Sequence, residues 1–213
     1  QFAPEAPYNA DNDLLLRIAA NSKVAEAYYL AEATTDKEAH IASMGKDGYM
    51  DYVIKNGTKI EGLSGASDSD VTVTGMVGEY IITVVAVNGN DKMATETTFT
   101  GLKWESIGIG MLSSSFFGGE GECEFYKASP VLKYKAIGPF EEGYDIVFDV
   151  ADNNSVTVAQ QAVYSSYGSY GTLYVSGNGA LQSNKITVNL TFRVSAGVFG
   201  AFTETFILPV TEP

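Results

Sequence analysis

One cysteine, one histidine, one tryptophan and a shortage of basic residues set the first limits on this 213-residue chain. Cys123 stands alone, so no intramolecular disulfide can form and stability has to come from packing. A single cysteine also excludes zinc and iron–sulfur centres built on several thiolates. His40 sits between Ala39 and Ile41 with no cysteine near it in sequence, and reads as a surface or half-buried helix residue rather than a catalytic base. The 13 Lys and Arg face 26 Asp and Glu, a formal charge of −13. With no basic stripe to offset it, that charge argues against nucleic acid and anionic membrane surfaces as partners, and it reads first as a source of solubility. No run approaches the ~20 apolar residues of a membrane helix. No secretory signal is seen at the abrupt start, and the Pro- and Ala-containing lead Phe2–Asn9 fits a trimmed or mature N-terminus.

Catalytic patterns are missing as well. The chain has no His-Glu-x-x-His, no Gly-x-Ser-x-Gly elbow and no phosphate-cradling glycine loop. Gly118-Gly119-Glu120-Gly121 leads into a strand rather than a helix, so it reads as a flexible turn. Cys123 lies between Glu122 and Glu124 and reads as a buried, inert thiol. The acidic turns Asp11/Asp13, Asp68/Asp70 and Asp152-Asn153-Asn154 lack the spacing of a calcium loop, and Asp and Asn are ordinary turn residues. No cofactor, no metal and no enzymatic activity are expected. The sequons at Asn56, Asn153 and Asn189 would matter in a secreted eukaryotic chain and would be chance matches in a bacterial one.

What is present is a β-protein's composition. Hydrophobic residues make up 45% of the chain and charged residues 18%, with 22 Gly, 13 Tyr and 11 Phe. Short Thr-, Val-, Tyr- and Phe-rich runs alternate with Gly, Asn, Asp and Ser. The front half is organised around Gly78–Asn90. Tyr80, Ile82, Val84 and Ala86 share one face of a strand, while Ile81, Val85 and Val87 share the other, so both faces need cover. Asn88-Gly89-Asn90-Asp91 turns the chain into a returning strand, Met93–Thr100. Leu14–Ala19, Val24–Ala33 and Val71–Thr74 are further strands. In the second of these Ala25, Ala27, Tyr29, Ala31 and Ala33 are the expected inward set. Residues 36–56 switch to helical spacing. Thr35 and Glu38 fit a capping box, Gly45 closes a short helix, Asp47 caps a second one and Gly57 ends it. Its apolar stripe is expected on the second face of the Tyr80–Val87 strand.

The order Tyr80-x-x-x-Val84-x-Ala86-x-Asn88, with Pro4 and Pro7 upstream, resembles the penultimate strand of a fibronectin type III domain. The resemblance covers about the first hundred residues. It implies an immunoglobulin-like sandwich with a tyrosine anchoring a strand corner, and it implies no ligand. Two features depart from that family: no tryptophan lies in the early strands, and the helical insertion is extra.

The second half alternates through some eight short strands. Lys185–Ser195 is the cleanest, with Ile186, Val188, Leu190, Phe192 and Val194 inward. Such spacing fits a second sandwich or a flattened barrel, and the sandwich is the reading adopted. Trp104-x-Ser106-Ile107-Gly108-x-Gly110, Tyr126-Lys127 and Gly138-Pro139-Phe140 before Gly143-Tyr144-Asp145-Ile146 are similar to the C-terminal β-domain of surface lipoproteins of Bacteroidetes bacteria. That resemblance implies export and a lipid-anchored cell-surface location, with the anchor outside this chain, and it implies no assigned function. The expectation is therefore an all-β chain of two β-sandwich domains. Residues 1–100 form the first, immunoglobulin- and fibronectin III-like with the insertion at 36–56, and residues 101–213 form the second.

The candidate ligand residues are Tyr164, Tyr167, Tyr170 and Tyr174, interleaved with Ser and Gly. Tyrosine beside Ser and Gly gives rigid contact area next to adaptable hydrogen bonding, which suits stacking on a sugar or an extended peptide. The structural reading is a strand–turn–strand whose tyrosines pack on neighbours. Trp104 reads as a core or junction residue, and Phe116-Phe117 as a contact patch or a cap over a sheet end. The expected function is a non-catalytic cell-surface binding or scaffold protein with a glycan or protein partner. The alternative is a carbohydrate-binding or adhesive module using the tyrosine run.

Overall fold

The computed structural model describes residues Gln1–Glu5 and Pro7–Val210; Ala6 in the lead and residues 211–213 at the end of the expected second domain lie outside the described residues. The chain divides into two compact units, Gln1–Lys103 and Trp104–Pro213.

The first unit contains β1 (Leu14–Ala19), β2 (Glu26–Ala33), α1 (Thr34–Asn56), β3 (Thr58–Lys59), β4 (Asp68–Val73), β5 (Gly78–Asn88) and β6 (Asp91–Gly101). β1 and β4 form a two-stranded sheet, and the other strands form a sheet in the order β3-β2-β5-β6. β5 is central because both its faces are apolar. Ile82 packs with Leu14, Leu16, Val73 and Met76, and Val84 with Ala27, Ile60 and Leu63. On the other face Val85 packs with Tyr49 and Val53 of α1, and Tyr28, Leu30 and Val87 join them. The helix therefore docks where the two-faced pattern of β5 requires cover. Gly45 (φ 71, ψ 174) breaks α1 into two helical segments, as its lack of a Cβ allows. The capping box does not form. The helix begins at Thr34 behind Ala33 with no side-chain cap, so Thr35 and Glu38 lie inside it; the Thr34 hydroxyl donates to the Glu79 carbonyl.

The second unit is a barrel. β7 (Lys103–Ser114), β8 (Gly119–Ser129), β9 (Lys133–Ala136), β10 (Ile146–Val150), β11 (Ser155–Tyr164), β12 (Leu173–Gln182), β13 (Lys185–Val194) and β14 (Gly197–Ile207) pair in chain order, and β14 returns to pair with β7. The closing seam aligns Glu204–Ile207 with Ser114–Met111.

The expectation of two sandwiches, the first fibronectin III-like, is thus corrected on both counts. The second half closes into an eight-stranded barrel, because pairing β14 with β7 satisfies the edge groups that an open sheet would leave bare. The first half sets only two strands against four and adds a helical layer, so the resemblance carried by Tyr80–Asn88 does not extend to a fibronectin strand arrangement.

Side chains fill the barrel interior. Phe125, Phe148, Phe192 and Phe206 are fully buried, together with Ile146, Leu173, Ile186, Val188 and Leu190. Phe206 meets Phe148 and Phe125 edge to face, at ring-centre distances of 4.8 and 6.4 Å. Small residues make room for these rings. A Cβ on Gly110 would lie 2.1 Å from the Ile207 carbonyl oxygen and 2.8 Å from the Phe125 ring. The outward positions of β13 are Lys185, Thr187, Asn189, Thr191 and Arg193. On β13, apolar inside and polar outside is the reverse of a lipid-facing wall, whereas β7 and β14 expose Ile109, Met111 and Ile207.

Candidate functional site

Three connections at one end of the barrel bring aromatic side chains together. The β7–β8 turn supplies Phe116 and Phe117, the β9–β10 connection Phe140, the end of β11 Tyr164, and the β11–β12 connection Tyr167 and Tyr170; β13 adds Phe192 and β14 adds Phe199 and Phe202. Phe116 stacks on the buried Phe192 at 4.0 Å with the rings nearly parallel, so it forms the lid of the core. Above it, Tyr167 lies 5.6 Å from Phe116 and 5.4 Å from Phe199, and Tyr170 lies 5.8 Å from Phe199. Phe117 packs against Phe140 at 4.8 Å. The outermost rings reach solvent: Tyr170 is 54% exposed, Phe117 40% and Phe199 39%.

The tyrosine loop is held in shape. The Tyr167 N–H donates to the Gly171 carbonyl, and a short 3-10 turn spans Gly168–Tyr170. The Ser165 hydroxyl and amide both donate to the Glu141 carboxylate, and the Thr172 hydroxyl donates to the Ser165 carbonyl. A loop fixed before contact loses little conformational freedom on binding.

Of the four expected tyrosines, the structure gathers Tyr164, Tyr167 and Tyr170 and separates Tyr174. Tyr174 faces an open groove of about 380 Å³ on the barrel's outer wall, lined also by Gln160, Arg193, Ser195 and Val198. Arg193 donates to Gln160 there at 3.0 Å. Phe116 and Phe117 divide the two roles proposed for them, since one caps the core and the other faces solvent. Trp104 takes the Lys135 ammonium over its ring at 4.3 Å.

Glu204 went unrecognised in the sequence. It points into the barrel beneath Phe116, fully buried. One carboxylate oxygen accepts from the Phe116 N–H at 3.0 Å, and the other has no hydrogen-bond partner. The signal was present, because Phe202-x-Glu204-x-Phe206 puts a carboxylate on the apolar parity of a strand. Burial pushes its carboxyl above the ordinary carboxylate range, against the hydrogen bonds from Ser114, Phe116 and Ser115. The folded state therefore favours the protonated acid. That stability is complete below the pH at which an unfolded glutamate titrates, and it is lost as pH rises through the higher folded value. The variant Glu204→Gln removes this dependence and keeps an acceptor for Phe116. Urea denaturation at pH 4 and pH 7 should show the variant gaining stability relative to the parent at the higher pH. An equal difference at both pH values would contradict this account of Glu204.

The remaining chemically able groups are tied up elsewhere. On α1, His40 Nδ1 approaches Glu32 Oε1 at 2.8 Å without hydrogen-bond alignment, and the Tyr49 hydroxyl donates to Glu32 Oε2 at 2.6 Å. Lys37 is buried and paired with Glu96. Burial pushes the Cys123 thiol up to about 11, which suppresses the nucleophilic thiolate. Two of the acidic turns serve the backbone, and the Asp68/Asp70 pair lies on β4. Asp13 accepts from the Asn9 and Gly75 amides, Asp70 pairs with Arg17, and Asn153 accepts from the Ser155 amide. Among the described residues no three His, Cys, Asp or Glu side chains gather as a metal site, and no helix is long and apolar enough to cross a membrane. No protein-family model, curated protein or solved structure matches this chain.

Proposed function

We propose that the chain is a non-catalytic binding protein whose barrel end recognises carbohydrate. The observation that carries the reading is the preformed aromatic ridge of Tyr170, Phe199 and Phe117, exposed on top of a solid core. A filled barrel leaves its ligand chemistry to its ends and outer wall. Sugar rings present apolar C–H faces that stack on such rings, and their hydroxyls suit the groove beside Tyr174, where Gln160, Arg193 and Ser195 supply donors and acceptors. The net charge of −13 disfavours the other common stacking ligand, nucleic acid. A cell-surface location belongs to the same reading, supported by the resemblance around Trp104–Gly110 and Gly138–Ile146.

A glycan array is the test. Wild-type binding should fall at least ~tenfold in Tyr170→Ala and again in Phe199→Ala, since each loses a stacking partner. Both rings are substantially exposed, so the melting temperature should barely move. No hit for the wild type, or full binding by the double variant, would remove the sugar reading.

A further inference from the structure

The two sheets of the first unit are unequal, and both are open on the same side. β6 is an edge strand of eleven residues that pairs only with β5. The Gly89–Asn90 turn sets the register Asn88↔Asp91, Ala86↔Met93, Val84↔Thr95. A two-residue hairpin hydrogen-bonds those pairs, which leaves the main-chain groups of Lys92, Ala94, Glu96, Thr98 and Thr100 facing away from β5. β1 pairs only with β4, and the main chain of Leu15 faces the opposite way, where it exchanges both hydrogen bonds with Phe2. By the same alternation Arg17 and Ala19 face that free side too.

Between these two edges runs a groove of about 250 Å³. Leu16 and Ile18 line it from β1, Ile82 and Val84 form its floor, and Thr95 and Thr97 line it from β6. Two residues before Thr95 on the same strand, Met93 is 74% exposed. Gln1 sits at one end, with its carboxamide donating to the Thr98 carbonyl at 2.7 Å and to the Thr97 hydroxyl. A carboxamide carries the same donor and acceptor as a peptide bond. Both edges therefore already hold peptide-like groups at that end: the Gln1 side chain on β6 and the Phe2 main chain on β1. The charged side chains that line it are matched within the unit, Arg17 by Asp70 and Glu96 by Lys37.

We infer that this groove is a strand-acceptor site, which takes an uncharged extended segment of a partner polypeptide along the free edge of β6. Its alternate apolar side chains enter the gap over Ile82 and Val84, and its main chain pairs with Ala94, Glu96 and, displacing the Gln1 carboxamide, Thr98. This is recognition by added strand, with main-chain bonds giving affinity and the groove giving side-chain preference. It rests on the first unit alone and is independent of the sugar reading.

The probe is the capped peptide Ser-Val-Thr-Val-Thr-Val-Ser at millimolar concentration, followed by residue-resolved amide hydrogen exchange on the full chain. The exchange of the Ala94, Glu96 and Thr98 amides should slow at least ~tenfold, as newly paired edge amides do. The same peptide with proline at its centre should give no protection. Ala94→Pro, which removes an outward donor without costing a ladder bond, should abolish the effect. Thr95→Trp, which fills the groove from its wall, should abolish it as well and gives a second route should the proline variant unfold. Unchanged exchange, or equal protection by the proline peptide, would overturn the proposal. Protection that grows with protein concentration in the absence of peptide would assign the edge to a second copy and overturn it too.

Discussion

Phe206→Ala should cost the barrel about 3–5 kcal/mol, the range expected for deleting a fully buried ring that its neighbours cannot replace. Phe206 is the ring on which Phe125 and Phe148 converge, and it sits two residues from the buried Glu204 next to the seam. Phe125 lies on β8, Phe148 on β10 and Phe206 on β14, so no single strand can shift to close the hole. In guanidinium denaturation followed by near-UV circular dichroism, the barrel transition should move to markedly lower denaturant. A loss below about 1 kcal/mol would show that the three rings do not share one core.

Gly110→Ala should be nearly as damaging, although it adds a single methyl group. The new carbon would have to occupy space 2.1 Å from the Ile207 carbonyl oxygen and 2.8 Å from the Phe125 ring. Relief requires either β14 to retreat from β7 or Phe125 to leave its place. The first opens the seam and the second disrupts the core, so a loss of about 3 kcal/mol or more is expected, at the upper end for overpacking. Gly121→Ala is the internal control. A Cβ there meets nothing within 4 Å, and the change should stay within about 0.5 kcal/mol. Equal melting temperatures for the two variants would mean that the close approach at Gly110 is absent.

These two sites mark the boundary between what the sequence shows and what it hides. Strand faces were legible. Ile186, Val188, Leu190, Phe192 and Val194 are all buried, as their alternation requires, because residue parity in a strand is a local property. The cover over β5 was legible for the same reason. Closure was not. Alternating strands have an inside and an outside in a sandwich and in a barrel alike. The difference lies in whether Glu204–Ile207 meets Met111–Ser114 across some ninety residues of chain. Nothing within either segment states its partner. Helix ends were legible where glycine sets them, at Gly45 and Gly57. The start was misplaced because the helix follows β2 directly, which puts Thr35 and Glu38 inside its first turns rather than at a cap.

The candidate site divides in the same way. Tyr164, Tyr167 and Tyr170 stand out by composition and do sit together. Phe199 and Phe140 join them only because the barrel brings three connections and the start of β14 to one end. Tyr174 shares the motif but lies on the outer wall, since β12 has begun by then and parity turns it outward. The groove between β1 and β6 could not be foreseen at all, as it follows from which strands lack neighbours.

The claim that carries the rest is the closed, filled barrel, because an interior packed with side chains leaves the proposed recognition only the ends and the outer wall. Cross-strand nuclear Overhauser effects between β7 and β14 test it most directly. The account predicts effects linking Glu204 with Ser114 and Phe206 with Leu112, together with slow exchange of the amides along that seam. Rapid exchange there, with no effect connecting the two strands, would mean an open sheet and would contradict it.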